Sequence, residues 1–173
     1  MDAAFVDIGL ERNAFLYVGD ILYDAASGGG DEESGNPVYR RAGREVKIRD
    51  VAKSGQEILV QVVKGPRGTK GARVSTRMSL PGRYIVLMPE AENLGVSRKI
   101  EDAGERERLR KIGEQVRPQG FGMIIRTEAE GKTERDLRQD AQLLVDLWRK
   151  VQEKARKTPP PGQVHQDLSL LFK

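Results

Sequence analysis

A glycine, a lysine and a threonine stand together in the stretch RTEAEGKT, which spans residues 126–133. The tripeptide Gly131-Lys132-Thr133 is the second half of a Walker A phosphate loop, but Arg126 stands where the first glycine of that motif belongs. Without that glycine the backbone cannot wrap closely around a β-phosphate. The residues therefore argue against nucleotide hydrolysis, while a nucleotide-binding switch built on this tripeptide stays open as an alternative.

The same stretch retains groups that bind anions. It lies between a predicted strand and a predicted helix, and a helix N-terminus offers amide donors and a favourable dipole to an anion. Arg126 adds a planar guanidinium suited to phosphate oxygens, and Thr127 adds a hydroxyl. Phosphate binding without hydrolysis is one interpretation, and pairing of Arg126 with a nearby carboxylate is the other.

Basic residues are concentrated in one part of the chain. Residues 51–100 carry nine lysines and arginines against three glutamates, a net charge of +6, whereas the whole chain of 173 residues has a net charge of +4. Such a segment attracts polyanions, of which nucleic acid is the usual one. A basic solvated face, or a docking surface of an interaction scaffold, is the alternative.

Two phenylalanines near the start of the chain are candidates for base stacking. In the stretch AAFVDIGLERNAFL, residues 3–16, Phe5 lies on the same strand face as Asp7 and opposite Val6, so we expect it to be exposed. Aromatic side chains on an open sheet stack on the bases of single strands. The alternative for Phe5 and Phe15 is a place in the core, where strand aromatics usually lie.

Several classes of site are disfavoured. The chain has no cysteine and a single histidine, His165, to which we assign no role, so disulfides, thiolate nucleophiles and cysteine-based zinc sites are excluded. No group of carboxylates follows a buried strand, where metal-dependent phosphodiester cleavage needs it. We predict no catalytic and no metal-binding residue.

The sequence contains no long apolar run and no leader, so we expect a cytoplasmic chain without a membrane partner.

Short strands dominate the first part of the chain. The pattern predicts a strand pair within residues 3–16, a strand over 57–64, and a strand over 72–80 with Ala72, Val74 and Thr76 on one face. Residues 25–37 predict a mobile loop, and residues 65–71 a glycine-rich turn. Short strands joined by such turns are typical of a small barrel.

Strands and helices alternate after residue 80. Strands are predicted at 83–89 and 121–127, and a helix from about Asp102 to Gln115. A long second helix is preceded by Thr133 and Asp136 at the spacing of a capping box. Its predicted apolar stripe is Leu137, Ala141, Leu144, Trp148, Val151 and Ala155. We therefore predict an α+β fold: a β-barrel followed by a small α/β unit.

These residues resemble a known family. The stretch AAFVDIGLERNAFL resembles a strand pair of the S-one type of OB-fold, an RNA-binding barrel. Together with VKGPRGTKGA, SLPGRYIVLMP, GVSRKIE, IIRTEAEGKT and the late HQD, it resembles the RNase E/G family of bacterial endoribonucleases along nearly the whole chain. The resemblance implies an incomplete OB-like barrel over residues 1–78, with its first strand missing, and a 5′-monophosphate sensor subdomain over 79–171.

The resemblance also assigns roles to residues. It implies that Phe5, Phe15, Lys64 and Lys70 contact RNA. It implies that the terminal 5′-phosphate and its nucleotide are bound by Arg126, Thr127, Gly82, Val86 and Arg98. The partner would be single-stranded RNA with a 5′-monophosphate, in RNA processing and decay.

The family's catalytic domain, DNase I-like, and its zinc-binding cysteines lie downstream of residue 173, so the resemblance implies Mg and Zn only for the full-length enzyme. We expect this chain to be an inactive fragment that acts with the missing catalytic domain, and the alternative is a free-standing natural protein of the same type. A first strand absent from the barrel would leave an edge free, and we expect a strand-mediated homodimer or a locally loosened barrel.

Overall fold

The computed structural model describes residues 2–21, 40–41, 44–45 and 47–166. The chain divides into two compact units, one formed by Met1–Arg77 together with Thr158–Lys173 and the other by Met78–Lys157. The functional assignment of residues 1–78 to RNA binding and of 79–171 to end recognition stays a prediction.

The first unit contains an open four-stranded sheet. Its elements in chain order are β1 (Ala3–Val6), β2 (Ala14–Tyr17), β3 (Arg40–Arg41), β4 (Arg44–Glu45), α1 (Ile48–Val51), β5 (Gln61–Lys64) and β6 (Arg73–Ser75). The strand order is β1-β2-β6-β5, with β1 antiparallel to β2, β2 parallel to β6 and β6 antiparallel to β5. The two short strands β3 and β4 pair separately. The predicted strand pair near the start of the chain is confirmed.

The described residues form no closed barrel, because their sheet ends at β1 and β5, and the incomplete OB-like barrel stays a prediction. Closure requires the outer strands to pair with each other, but these strands are only three or four residues long. The ladder between β5 and β6 is also interrupted by a bulge between Val62 and Lys64. The predicted strand over 57–64 forms only over Gln61–Lys64, and Ile58 and Val60 before it pack against the core. The predicted loop over 25–37 lies outside the described residues.

The core of the first unit lies beneath β2 and β6. Its buried members are Ala14, Leu16, Ile21, Ala72 and Val74. Val6 and Ile8 pack against this cluster, whereas Phe5 and Asp7 are exposed. The predicted alternation along β1 is thereby confirmed. In the second predicted strand Ala72 and Val74 are buried as expected, but Ser75 is buried as well, Thr76 is half-buried, and the strand spans only Arg73–Ser75.

The second unit packs two helices on one face of a mixed sheet. Its elements are β7 (Leu80–Pro81), β8 (Ile85–Pro89), β9 (Leu94–Val96), α2 (Ala103–Val116), β10 (Phe121–Ile125), a 3₁₀ turn over Thr127–Ala129 and α3 (Glu134–Lys157). The strand order is β7-β8-β10-β9, and β9 runs parallel to β10. The alternating side chains that face the helices include Ile85, Leu87, Met123 and Ile125, all fully buried. The predicted mixture of helix and strand is confirmed.

Both helices begin with a side-chain cap. Asp102 accepts a hydrogen bond from the backbone N–H of Glu105 at 2.6 Å. The N–H of Thr133 donates to Asp136 at 2.8 Å, and the N–H of Asp136 donates to the Thr133 hydroxyl at 3.3 Å, which confirms the predicted capping pair. No helix in the described part of the chain is long and apolar enough to cross a membrane.

The predicted stripe of α3 is largely confirmed. Leu137, Ala141, Leu144 and Val151 are buried, and Trp148 is half-buried. Asp140 lies on the same stripe and is also buried, which the apolar pattern did not predict.

Candidate nucleic-acid interface

Three segments meet at one end of the strands of the second sheet, which we call the edge of this sheet. Because β9 and β10 are parallel, both end at this edge, and the N–H of Ser97 donates to the carbonyl oxygen of Ile125 at 2.8 Å. The antiparallel strand β8 begins there, and the N–H of Arg126 donates to the carbonyl oxygen of Tyr84 at 2.8 Å. The fold therefore places Arg126 beside the turn that contains Gly82.

The Arg126 guanidinium is anchored on that turn. Its Nη1 donates to the carbonyl oxygen of Gly82 at 2.6 Å and lies 3.4 Å from that of Arg83. On its other side Nη2 and Nε each lie 3.4 Å from a carboxylate oxygen of Glu128, and 39% of the Arg126 side chain is exposed. The carboxylate pairing considered from the sequence is thus present, while the guanidinium remains accessible to solvent.

The turn itself is held by Asp140. Its buried carboxylate accepts hydrogen bonds from the backbone N–H groups of Tyr84 at 2.8 Å, Ile85 at 3.1 Å and Arg83 at 3.2 Å. A Cβ atom at Gly82 would lie 2.5 Å from Asp140 Oδ2, so glycine is required for the close approach. Asp140 was missed in the sequence, although its position on the apolar stripe of α3 was the available signal.

The other predicted phosphate-site residues lie at or near this edge. The Thr127 hydroxyl is 3.3 Å from Glu128 Oε2. Val86 pairs with Ile124 across β8 and β10, on the sheet face opposite the helices. Arg98 is exposed just beyond Ser97, and within the described residues it forms no hydrogen bond to Arg126 or Gly82. The structure thus links Arg126 to Gly82 directly and Arg126 and Thr127 through Glu128, while Arg98 follows Ser97, whose N–H donates to the carbonyl oxygen of Ile125.

The backbone amides of the Gly131-Lys132-Thr133 stretch are occupied. The N–H of Gly131 donates to Glu105 at 2.8 Å, that of Lys132 to the carbonyl oxygen of Ala129 at 3.0 Å, and that of Thr133 to Asp136. A phosphate loop needs such amides for its ligand. The expectation that this loop offers free amides to an anion is therefore wrong, because local carboxylates and a turn take them.

The carboxylate of Glu105 is held by hydrogen bonds beside the Gly131-Lys132-Thr133 stretch. Arg108 donates to its two carboxylate oxygens at 2.6 and 2.7 Å. These hydrogen bonds, followed by that of the Gly131 amide, lower the pKa of Glu105 to about 2. The Arg108 guanidinium also donates to the carbonyl oxygen of Lys132 at 3.0 Å, so it links α2 to the loop before α3.

Tyr84 adds an aromatic surface beside Arg126. Its half-buried ring lies 5.2 Å from the Arg83 guanidinium carbon and 5.7 Å from Lys132 Nζ. Cations at such distances are attracted to the ring. Tyr84 was not predicted from the sequence. The available signal was an arginine followed by a tyrosine directly before a predicted strand.

The first unit has its own aromatic surface. Phe5 and Phe15 are register partners on β1 and β2, and their ring centroids lie 5.1 Å apart at an interplanar angle of 54°. Phe5 is 71% exposed, as predicted, while Phe15 is half-buried. A Cβ atom at Gly71 would overlap the carbonyl oxygen of Asn13 and contact the Phe15 ring at 3.5 Å, so glycine allows this strand to approach.

A row of four residues crosses the whole sheet. Phe5 pairs with Phe15, Phe15 with Arg73, and Arg73 with Lys64. We call Phe5, Phe15, Arg73 and Lys64 the cross-strand row. The Arg73 guanidinium is held by Asp20 at 2.7 and 2.9 Å and lies 5.1 Å from the Tyr17 ring.

Lys70 lies beside the row in the turn before β6. It forms a two-way backbone bridge with Arg67, with both N–H to oxygen distances at 3.0 Å. Both side chains are exposed. The residues predicted to contact RNA in this unit, two aromatic and two basic, therefore lie on one sheet and its adjoining turn.

The comparison with protein families decides the identity of the second half of the chain. The model of the Ribonuclease E/G family matches residues 79–173. The chain belongs to this family. Arg126, Thr127, Gly82 and Asp140 all lie within the matched region.

Curated members of the Ribonuclease E/G family extend the likeness to nearly the whole chain. It is 43% identical to "Ribonuclease G" of Salmonella typhimurium (strain SL1344) and 42% identical to "Ribonuclease G" of Escherichia coli (strain K12), over 98% of this chain in each case. It is 38% identical to "Ribonuclease E" of Nostoc sp. (strain PCC 7120), over 96% of this chain. The chain spans about a third of the length of the two Ribonuclease G proteins and 22% of that of the Ribonuclease E.

Among the described residues no three of the His, Asp and Glu side chains are grouped so that they could hold a metal ion. Magnesium and zinc were expected only for the full-length enzyme, so that expectation stays a prediction.

Proposed function

We propose that this chain is the RNA-binding part of an RNase E/G-type endoribonuclease, that it binds single-stranded RNA, and that it recognises the 5′-monophosphate end. It would act with the catalytic domain of such an enzyme in RNA processing and decay. The observation that carries the proposal is the Arg126 guanidinium, which is anchored by the Gly82 carbonyl at 2.6 Å, faces Glu128 at 3.4 Å on its other side and is 39% exposed.

An anchored guanidinium is suited to reading one terminal phosphate. Donation to Gly82 and Arg83 orients the planar group, so that Nε and Nη2 point away from the turn toward solvent and Glu128. Two parallel N–H donors match two phosphate oxygens. The Thr127 hydroxyl supplies a further donor, and a 5′-hydroxyl end offers none of the charge that these groups would bind.

The cross-strand row would hold the body of the RNA. Exposed aromatic rings stack on bases of any sequence, at roughly 1–3 kcal/mol per base. Phe5 and Phe15 supply the rings, and Lys64 and Lys70 supply positive charge to the backbone phosphates. Binding should therefore weaken steeply with salt, because neutralised phosphates release counterions.

The test measures the affinity of short single-stranded RNAs that differ only at the 5′ end: monophosphate, hydroxyl or triphosphate. We expect the monophosphate to bind most tightly. Arg126→Ala removes charge-assisted hydrogen bonds to the phosphate, so it should lower the affinity for the monophosphate RNA by about 10- to 150-fold. The affinity for the hydroxyl RNA should not change. Arg138→Ala removes an equal charge from the exposed surface of α3 and is the matched control.

Each alternative has its own signature in the same experiment. Equal affinity for all three ends would contradict end recognition. Nucleotide binding that depends on Lys132 would favour a nucleotide-binding switch, although the amides of that loop are occupied. A flat salt response would favour an interaction scaffold. We expect no RNA cleavage by this chain in the presence of magnesium.

We also propose that β1 mediates a homodimer. This strand lies at the edge of the open sheet, and an edge strand carries backbone groups that pair readily with another chain. Sedimentation equilibrium should show a monomer–dimer equilibrium, and a monomer at all concentrations would contradict the proposal.

A further inference from the structure

The carboxylate of Glu128 lies close to both side chains that are predicted to bind the 5′-phosphate, Arg126 and Thr127. Glu128 Oε1 lies 3.4 Å from Arg126 Nη2, and Glu128 Oε2 lies 3.4 Å from Arg126 Nε. The same Oε2 is 3.3 Å from the Thr127 hydroxyl. The guanidinium fork and the hydroxyl therefore face an anion that belongs to the chain itself.

We propose that Glu128 is an internal competitor for the 5′-phosphate, which RNA must displace in order to bind. The inference rests on the proposed function, since it concerns the occupant of the same site. Two carboxylate oxygens and two phosphate oxygens present similar acceptors to an arginine fork. While Glu128 occupies the donors of Arg126 and Thr127, a phosphate cannot use them.

The contacts of Glu128 make it displaceable. All its distances to Arg126 and Thr127 are near the upper limit for hydrogen bonds, and 51% of its side chain is exposed. An exposed ion pair of this kind changes an equilibrium by at most about fivefold. A terminal phosphate, with more charge and a third oxygen, is the stronger ligand for the same donors.

Displacement does not require the turn itself to open. The turn that carries Glu128 is closed by its own backbone, through the N–H of Ala129 to the carbonyl of Arg126 at 3.1 Å and the N–H of Glu130 to that of Thr127 at 3.0 Å. Glu128 can therefore leave the site without unfolding the turn that presents Arg126.

The test compares Glu128→Gln with Glu130→Gln. Glu130 is exposed and two residues further along the same loop, so its substitution changes the net charge equally without removing the competitor. We expect Glu128→Gln to tighten binding of the 5′-monophosphate RNA by about two- to fivefold and to leave the 5′-hydroxyl RNA nearly unchanged. Glu130→Gln should shift both RNAs by the same small factor.

A double-mutant cycle with Arg126→Ala separates direct competition from long-range charge. In the Arg126→Ala background the effect of Glu128→Gln should disappear. Equal effects of the two glutamine substitutions, or weaker binding of the monophosphate RNA by Glu128→Gln, would overturn the inference. If the unsubstituted chain does not distinguish the two RNA ends, the proposed function itself fails, which is a separate outcome.

Discussion

The carboxylate of Asp140, in the second turn of α3, lies 2.8 Å from the backbone nitrogen of Tyr84, the residue that precedes β8. The same carboxylate accepts from the two neighbouring amides, so a helix side chain shapes the turn whose carbonyl groups anchor Arg126. The orientation of the candidate phosphate site thus depends on a residue that does not itself contact Arg126 in the described structure.

Asp140→Asn should destabilise the second unit. An amide oxygen can accept only part of the three hydrogen bonds, and the amide NH₂ would face a backbone N–H. We expect the free energy of unfolding to fall by about 1–3 kcal/mol, as for other buried unsatisfied groups, measured by urea denaturation. Asp146→Asn, on the surface of the same helix beside Arg149, is the control and should change stability by less than about 0.5 kcal/mol. Equal stability of the two variants would contradict the role of Asp140.

Gly82→Ala should impair both stability and end recognition. The added methyl carbon would lie 2.5 Å from Asp140 Oδ2 and 2.9 Å from its Cγ, so the turn or the helix must move. We expect a loss of about 1–3 kcal/mol from overpacking, together with a smaller preference for monophosphate RNA. Gly95→Ala in β9 is the control, since its methyl would meet Ile124 at an ordinary 3.8 Å. A well-folded Gly82→Ala variant with full end preference would argue against the anchoring of Arg126 by this turn.

Phe5→Ala should weaken RNA binding without unfolding the chain. Loss of one stacked base costs roughly 1–3 kcal/mol, or about 5- to 150-fold in affinity. Because the side chain is 71% exposed, we expect little change in the unfolding transition. Leu10→Ala, 53% exposed in the turn after β1, serves as the comparison in fluorescence-based RNA titrations. An unchanged affinity of Phe5→Ala would remove the aromatic pair from the RNA-binding surface.

Glu105→Gln should change the acid stability of the second unit. The pKa of Glu105 is lowered to about 2 in the folded chain, below its ordinary value of 4.5. The stabilisation by its charge is therefore fully present above pH 4.5 and is lost as the pH falls toward 2. We expect the variant to be less stable than the unsubstituted chain at pH 7, with the difference vanishing across that window in thermal melts.

Glu114→Gln provides the matched charge change for that experiment. Glu114 forms an exposed pair with Arg110 at 3.7 Å on the same helix. Its substitution should not change how the stability of the second unit depends on pH between 4.5 and 2. A stability difference for Glu105→Gln that persists at pH 2 would contradict the assignment to its carboxylate charge.

Local elements were predictable because their signals are local. The Thr133 and Asp136 spacing predicts a cap that forms within one turn, and the alternation of Phe5 with Val6 predicts which side chain faces the solvent. The strand β9 was not predicted, since three residues that include Gly95 carry too little pattern. It forms through its parallel pairing with β10, which is a non-local interaction.

The candidate site, like the fold, was only partly predictable from the sequence. From residue types the sequence alone determined that Arg126 and Thr127 are phosphate-binding candidates, that Phe5 is exposed and that residues 51–100 are basic. Only the tertiary structure decided that Asp140 holds the Gly82 turn, that Glu128 meets both donors and that the amides of the Gly131 loop are occupied. The reason is that composition and spacing report which groups a chain carries. The contacts of Asp140 with the Gly82 turn and of Glu105 with Gly131 join residues far apart and depend on how strands and helices pack, whereas those of Glu128 depend on the backbone conformation of the turn that carries it.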